Sequence, residues 1–239
     1  MRYLDLTFPT PEENLACDEV LLDACENDGG EEILRVWEAP RPFVVLGCAS
    51  RLRDEAHADW CKRSGIPLLR RASGGCAVVQ GDGCLSFALI LRIPEDGPLT
   101  SIRGTCASIV ARHAESMRDL FGDETRAAGL GDLALGDLKI SGTAQRRRRR
   151  FMLVHGTFLL DFDLPLVGRS LAFPPRQPDY RRDRPHGEFL TNARASNEAV
   201  KAALRQTWAA TETLADLPFE QINDLARTRH AASSWIGRF

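Results

Sequence analysis

This chain lacks any apolar run long enough to cross a bilayer, which takes about 20 residues. Its longest apolar stretch, near Phe87–Leu91, has the length of a buried strand. Excess charge of one sign is also missing. A formal net charge of −2 gives no general pull toward nucleic acid or an anionic membrane, so any positive field must be local. The first residues, Met1-Arg2-Tyr3-Leu4-Asp5, lack the charged-then-apolar order of a signal peptide. The cysteines at 17, 25, 48, 61, 76, 84 and 106 form no Cys-x-x-Cys pair and have no histidine cluster beside them. That excludes a zinc site or disulfide framework and indicates reduced thiols in a cytoplasmic protein. Residues 107–239 hold no cysteine at all. There is no Gly-x4-Gly-Lys-Ser/Thr loop and no Gly-x-Gly-x-x-Gly opening a helix, so any phosphate must be bound by strands and turns.

What is present reads as one domain over residues 1–239, α+β in class, with a helical flank from about 185 to 239. Residues 2–8 alternate as a strand. Thr10-Pro11-Glu12-Glu13 then supplies a helix cap, a first-position proline and a capping-box glutamate, and Gly29-Gly30 ends that helix. Strands are expected at 33–37, 43–47 and 66–70, with a short helix over 54–64. Residues 76–79 and 85–93 read as a hairpin about Gly81-Asp82-Gly83. A helix is expected over 99–121. Strands at 133–135 and 139–145 flank a Gly136-Asp137 turn, and a long strand covers 151–162. A Pro- and Arg-rich stretch runs to about Arg184, and helices at 196–210 and 218–228 close the chain.

Two segments carry chemistry. In the first, Arg70-Arg71-Ala72-Ser73-Gly74-Gly75-Cys76-Ala77, the glycines permit a sharp turn and close approach of a ligand to main-chain N–H groups. The paired arginines suggest an anion site, although alternation sends only one of them toward a pocket. A plain β-turn uses the same glycines. In the second, Lys139 stands alone among Ile140, Ser141, Gly142, Thr143 and Ala144, where a cation is suited to an anion brought by a ligand. An ammonium held beside both anions favours attack of a carboxylate on the α-phosphate of ATP. A solubilising edge lysine is the simpler alternative. Asp132 and Asp137 are candidates to hold Mg²⁺ or to orient Lys139, with Asp137 better suited to the turn. His155 by itself reads as a hydrogen-bonded structural histidine. The run Arg146–Arg150 reads as an exposed turn able to meet an acidic protein or departing pyrophosphate.

On these residues the chain resembles the lipoate–protein ligase A family, within the biotin and lipoate ligase catalytic domains, over roughly residues 10 to 190. Arg70, Arg71, Ser73, Gly74 and Gly75 fit the family's Arg-Arg-x-Ser/Thr-Gly-Gly. Lys139, Ser141, Gly142, Thr143, Ala144 and Gln145 fit its Lys-x-Ser-Gly-Ser/Thr-Ala-Gln. His155, Gly156, Thr157, Asp161 and Asp163 fit its His-Gly-Thr/Ser strand and Asp-x-Asp. Asn14, Asp18 and Glu19 of the first helix, and the strand Leu34–Glu38, are similar too. The resemblance implies a central, mixed but mostly antiparallel sheet flanked by helices, like class II aminoacyl-tRNA synthetases and biotin ligases.

It further implies an ATP- and Mg²⁺-dependent ligase that activates lipoate or octanoate as acyl-AMP and passes it to a lysine of an acidic lipoyl carrier domain. Lys139 would be the catalytic cation. Arg70, Ser73, Gly74, Gly75, Cys76, Ala77, Asp132, Ser141, Gly142, Thr143, His155 and Gly156 would line the acyl-adenylate pocket, and Asp132 would be the metal contact. Arg147 and Arg149 would face the carrier; no nucleic acid or membrane partner is implied. The chain departs from the family at Cys76, Gln80 and Gly131, and little of it remains after residue 190 for an accessory domain, so a separate accessory subunit is an expectation. Two other functions stay open. One is an acyltransferase with a cysteine thioester at Cys76, and the other is a non-catalytic subunit that binds lipoyl domains.

Overall fold

The computed structural model describes residues 1–239. Its elements are β1 (Arg2–Asp5), α1 (Pro11–Asp28), β2 (Ile33–Trp37), β3 (Phe43–Leu46), α2 (Leu52–Glu55), α3 (Ala58–Arg63), β4 (Leu68–Arg70), β5 (Val78–Gln80) and β6 (Cys84–Arg92). There follow α4 (Ile102–Ser116), α5 (Arg118–Phe121), β7 (Thr125–Ala128), β8 (Asp132–Leu135), β9 (Leu138–Arg147), β10 (Phe151–Leu159) and α6 (Leu164–Ser170). The chain closes with α7 (His186–Phe189), α8 (Asn197–Thr207), β11 (Glu212–Thr213), α9 (Phe219–Leu225), a π-helical turn over Ala226–His230, and α10 (Ser233–Ile236). No helix is long and apolar enough to cross a membrane.

An eight-stranded sheet runs β11-β1-β2-β6-β10-β9-β8-β7, and β4-β3-β5 form a smaller one. In the large sheet all pairings from β2 to β7 are antiparallel, and only β1 pairs in parallel, with β2 and β11. In the smaller sheet β3 pairs with β4 in parallel and with β5 antiparallel. Alternation along the central strands divides the core. Leu85, Phe87, Leu89, Met152, Val154 and Phe158 face Ile109, Val110, Val200 and Leu204 of α4 and α8. Ala88, Ile90, Phe151 and Leu153 face Ala16, Cys17, Val20 and Leu21 of α1. Helix α1 begins as its sequence indicates, with the Thr10–Glu13 capping box and Pro11 in the first turn, and Gly29 closes it in the left-handed conformation at φ 70°.

Several expectations change. Residues 76–79 and 85–93 do not form a hairpin. Strand β5 pairs with β3, Val44 opposite Val79, while β6 enters the large sheet between β2 and β10. The glycines between them serve close packing at this junction: a β carbon on Gly81 would lie 2.9 Å from Pro42 Cα, and one on Gly83 2.2 Å from Asp161 O. The expected helix over 54–64 is broken where Ala56 bridges Leu171, and that over 99–121 stops at Ser116 and restarts at Arg118. Strand β7 and helix α6 were not indicated. Thr125-Arg126-Ala127-Ala128 has little intrinsic strand preference and is extended by pairing with β8.

Candidate active site

The site is built on β9, with β8 and β10 beside it. The expected two-residue turn is present, with Leu135 opposite Leu138 and Gly136 at φ 54°. A register shift follows: Ala134 pairs with Lys139 but Leu133 with Ser141, leaving Ile140 as the extra residue of a β-bulge. In regular alternation Lys139 and Gly142 would point to opposite faces. The bulge turns Ile140 and Ser141 together into the core and puts Lys139 on the same face as Gly142. Lys139 Nζ reaches over Gly142 to Asp132 Oδ1 at 2.7 Å, with the lysine side chain 27% exposed and Asp132 13%. Asp132 Oδ2 accepts from the Tyr180 hydroxyl at 2.9 Å. Burial, followed by the nearby Asp132 charge, pushes the Tyr180 phenol above its ordinary range, so it stays a donor.

The same face continues to Ala144, opposite His155, and there meets the glycine loop. The positions of Ala144 and Gly142 lie roughly 6.6 Å apart along the strand. His155 Nε2 is 2.6 Å from Ser73 Oγ, and His155 Nδ1 is 3.2 Å from Asp18 Oδ2 on α1. Asp18 is tied at 2.5 Å to Arg35, which is fully buried and also bonded to Asn14. Burial alone would raise the Asp18 carboxyl, but Arg35 and His155 outweigh it and hold it below the usual carboxylate range. Parity explains the meeting, because Arg35 and His155 both lie on the α1 side of the sheet.

The two arginines of the loop do not receive an anion as expected. Arg70 donates to the carbonyls of Gly47, Ser50, Trp235 and Ile236 at 2.7–2.9 Å, so it fastens the C-terminal segment. Arg71 donates to Val45 O, Gly74 O, Cys76 O and Ser73 Oγ. Burial lowers its guanidinium to about 10. The remaining loop carbonyls are also claimed, Ala72 O by Arg146, Ser73 O by the Cys48 amide and Gly75 O by Ser50. The amides of residues 72–76, by contrast, donate to nothing in the chain. The loop therefore turns its carbonyls inward and offers a row of free N–H groups, the polarity of an anion- or oxyanion-binding turn. Nothing lies within 4 Å of a β carbon placed on Gly74, so that face is open.

Other expected residues have different places. Ser141 is 3% exposed and points to the core with its partners Leu133 and Phe158. Thr143 bonds Gly131 O at 2.9 Å. Gly156 is required by packing, because a β carbon there would lie 2.6 Å from Gly142 O and 2.8 Å from the Phe87 ring. The Ala77 amide is held by Glu55. The Cys76 thiol makes one hydrogen bond, to Arg176 O at 3.8 Å, and none to a base. Both Asp132 oxygens are already paired, and no group of three His, Cys, Asp or Glu side chains forms a metal cage. Asp132 is thus engaged by Lys139 and Tyr180, and no set of protein ligands surrounds it that would hold Mg²⁺ without a nucleotide's phosphates.

The arginine run is also not the free patch expected. Arg146 holds Ala72 O, Arg147 holds Leu99 O and Thr100 O, Arg148 pairs with Asp23, and Arg150 caps the end of α1. Only the Arg149 side chain is left unbonded, and it is exposed. The turn lies about ten residues along β9 from Lys139, roughly 30 Å, too far to touch a pyrophosphate there. Sequence reading missed Tyr180 and the segment around it, which folds back over the β8–β9 hairpin. Arg184 donates to Asp137 O, the Thr191 amide donates to Lys139 O, and Arg181 stacks on Phe173 and Phe189 at 4.8 Å from each ring. Tyr180, one of only two tyrosines, was the one available signal. A separate open cavity of about 650 Å³ between α1 and α9 shares no residue with this site, and Asp23, Asp28, Glu220 and Asp224 on its wall would repel an anion.

This fold is shared with lipoate-handling proteins. It superposes with a TM-score of 0.82, at 25% identity over 100% of this chain and 96% of the other, on the bipartite lipoate protein ligase from Thermoplasma acidophilum. A lipoate–protein ligase A bound with ATP superposes with a TM-score of 0.80, also at 25% identity, over 100% of this chain and 99% of the other. The model of the lipoyl protein ligase A/B catalytic domain matches residues 10–203, and the chain belongs to that family. Lipoate–protein ligase 1 of Staphylococcus aureus is 27% identical over 97% of this chain and 70% of its own length. Octanoyltransferase LipM of Carboxydothermus hydrogenoformans is 26% identical over 72% of this chain and 69% of its own. Family membership thus covers both ligases and acyltransferases.

Proposed function

We propose that the chain is an ATP-dependent lipoate–protein ligase, forming lipoyl- or octanoyl-AMP and passing the acyl group to a lysine of a lipoyl domain. The observation that carries this is the Lys139 ammonium, aimed by Asp132 and Tyr180 onto a floor of small residues, Gly142 and Ala144, that leads to the free amides of 72–76. A carboxylate set between them meets a cation on one side and N–H donors on the other. The ammonium stabilises the charge that grows as the carboxylate attacks the α-phosphate, an effect worth about 10²–10³ in rate for one such contact. Mg²⁺ would enter with the nucleotide, held mainly by its phosphates.

The likeness to the bipartite archaeal ligase supports testing with and without an added accessory subunit, and with a lipoyl domain as acceptor. Pyrophosphate release from ATP, Mg²⁺ and lipoate or octanoate is the test. Lys139→Ala should lower it at least 10²-fold with unchanged circular dichroism. Undiminished release from that variant would remove Lys139 from the mechanism.

A further inference from the structure

The contacts Ser73–His155–Asp18 have the arrangement of a nucleophile, a base and a group that orients the base. The hydrogens can be assigned. The Asp18 carboxylate can only accept, so His155 donates to it through Nδ1–H. In the neutral imidazole Nε2 is then the acceptor, and it faces the Ser73 hydroxyl at 2.6 Å. Arg71 Nε donates to the same oxygen from 3.0 Å, which stabilises negative charge on Oγ. One lone pair of Oγ remains uncommitted. The amides beginning at Ser73 itself are unpaired, as an oxyanion hole next to a nucleophile requires. Ser73 is 1% exposed, and an acyl group would approach over the side-chain-free backbone of Gly74. Arg35 anchors Asp18 from behind, so the imidazole is fixed from both ends. Cys76, in the same loop, has no base.

We infer that Ser73 is an acyl-accepting nucleophile, giving this chain an ATP-independent acyl transfer from acyl thioesters. Ser73 Oγ bonds to the thioester carbonyl carbon while its proton moves to His155 Nε2. The carbonyl electron pair moves to oxygen under the loop amides. Its return expels the thiolate, which takes the proton from His155 and leaves as a thiol. The product is an acyl ester on Ser73. An amine or water then attacks that ester, again losing a proton through His155, and regenerates the hydroxyl as amide or free acid forms. The step uses neither Lys139 nor a nucleotide.

The test is to incubate the full chain without ATP with the octanoyl thioester of N-acetylcysteamine, quench in acid, and map the adduct by peptide mass spectrometry. One octanoyl group is expected on the peptide carrying Ser73. It should be absent in Ser73→Ala and slowed at least 10²-fold in His155→Ala. In Ser73→Cys the adduct should persist and become a thioester cleaved by neutral hydroxylamine, which also shows that the loop still folds. No adduct, or an adduct on another residue, would overturn the inference. ATP-dependent pyrophosphate release is read on the same preparations. Release without an adduct refutes only the Ser73 nucleophile, whereas an adduct without release supports it and refutes only the ligase.

Discussion

Gly142→Ala should disable activation while leaving the fold almost untouched. A β carbon at this position would stand 2.7 Å from Lys139 Nζ, 2.9 Å from its Cε and 3.3 Å from Asp132 Oδ1. These are ends of side chains, so the lysine swings away before the strand distorts. Gly142 is not among the glycines with positive φ, so its backbone accepts alanine. Alanine in a strand interior regains roughly 0.5–1 kcal/mol over glycine. The lost Lys139–Asp132 contact, worth about 1.5–3 kcal/mol when buried, lies near the low end because the lysine is 27% exposed. The two terms nearly cancel. Net destabilisation should be about 1 kcal/mol or less, a fall in Tm of at most about 2–4 °C. The displaced ammonium should cost about 10²–10³ in the rate of pyrophosphate release. Urea unfolding and the release assay together separate the two effects. Full activity in a folded Gly142→Ala protein would show that the position of the lysine, as opposed to its presence, is irrelevant.

Asp18→Asn should leave the buried Arg35 uncompensated and cost about 3–5 kcal/mol in urea unfolding. A loss below 1 kcal/mol would show that Asp18 does not secure Arg35. Burial also drives His113 down to about 3, and its ring nitrogen accepts from Trp208 at 2.9 Å. Its folded value lies below the unfolded one, so the unfolded chain takes up the proton first. Stability is complete above about pH 6.5 and falls with pH below it, by about 2 kcal/mol at pH 5. His113→Gln, which keeps an acceptor but does not titrate, should flatten that part of the profile, and an equally steep profile would assign the loss elsewhere. Arg149→Glu should slow transfer to an acidic lipoyl domain at low salt and lose its effect at high salt. A salt-independent effect would exclude charge steering.

The elements that lay open in the sequence are those set by local chemistry. Thr10-Pro11-Glu12-Glu13 gives helix α1 its start, and Gly136-Asp137 gives the β8–β9 turn, because each follows from neighbouring residues. The partners of β5 were hidden, since a hairpin and a crossing between sheets share the same glycines. The position of Lys139 could be suspected from its small neighbours, but not that a bulge at Ile140 is needed to bring it to the site face. Nor was Tyr180 reachable, because a segment without regular periodicity reveals its contacts only once the hairpin beneath it exists. The hydrogen-bonded chain from Arg35 to Ser73 joins residues up to 137 positions apart. The family resemblance named Asp18, Ser73 and His155 in separate motifs, but nothing in the sequence joined them.

The arginines show most clearly why residue type alone misleads. A pair of guanidinium groups beside two glycines suggests direct capture of an anion, yet each is occupied by carbonyls of its own chain. Their charge acts at one remove. A turn whose carbonyls point in all directions presents a mixed field to a ligand. When Arg71, Arg146, Ser50 and the Cys48 amide claim those carbonyls, the negative ends of the peptide dipoles are fixed inward and the N–H ends face the open side of Gly74. Arg71→Lys keeps the charge but cannot bridge Val45, Gly74 and Cys76 together, because an ammonium lacks the planar fork. The two halves of the site differ in the same respect. Lys139 supplies a single ammonium oriented by Asp132, and the loop supplies fixed dipoles that do not reorganise, the property that an oxyanion formed at Ser73 would require.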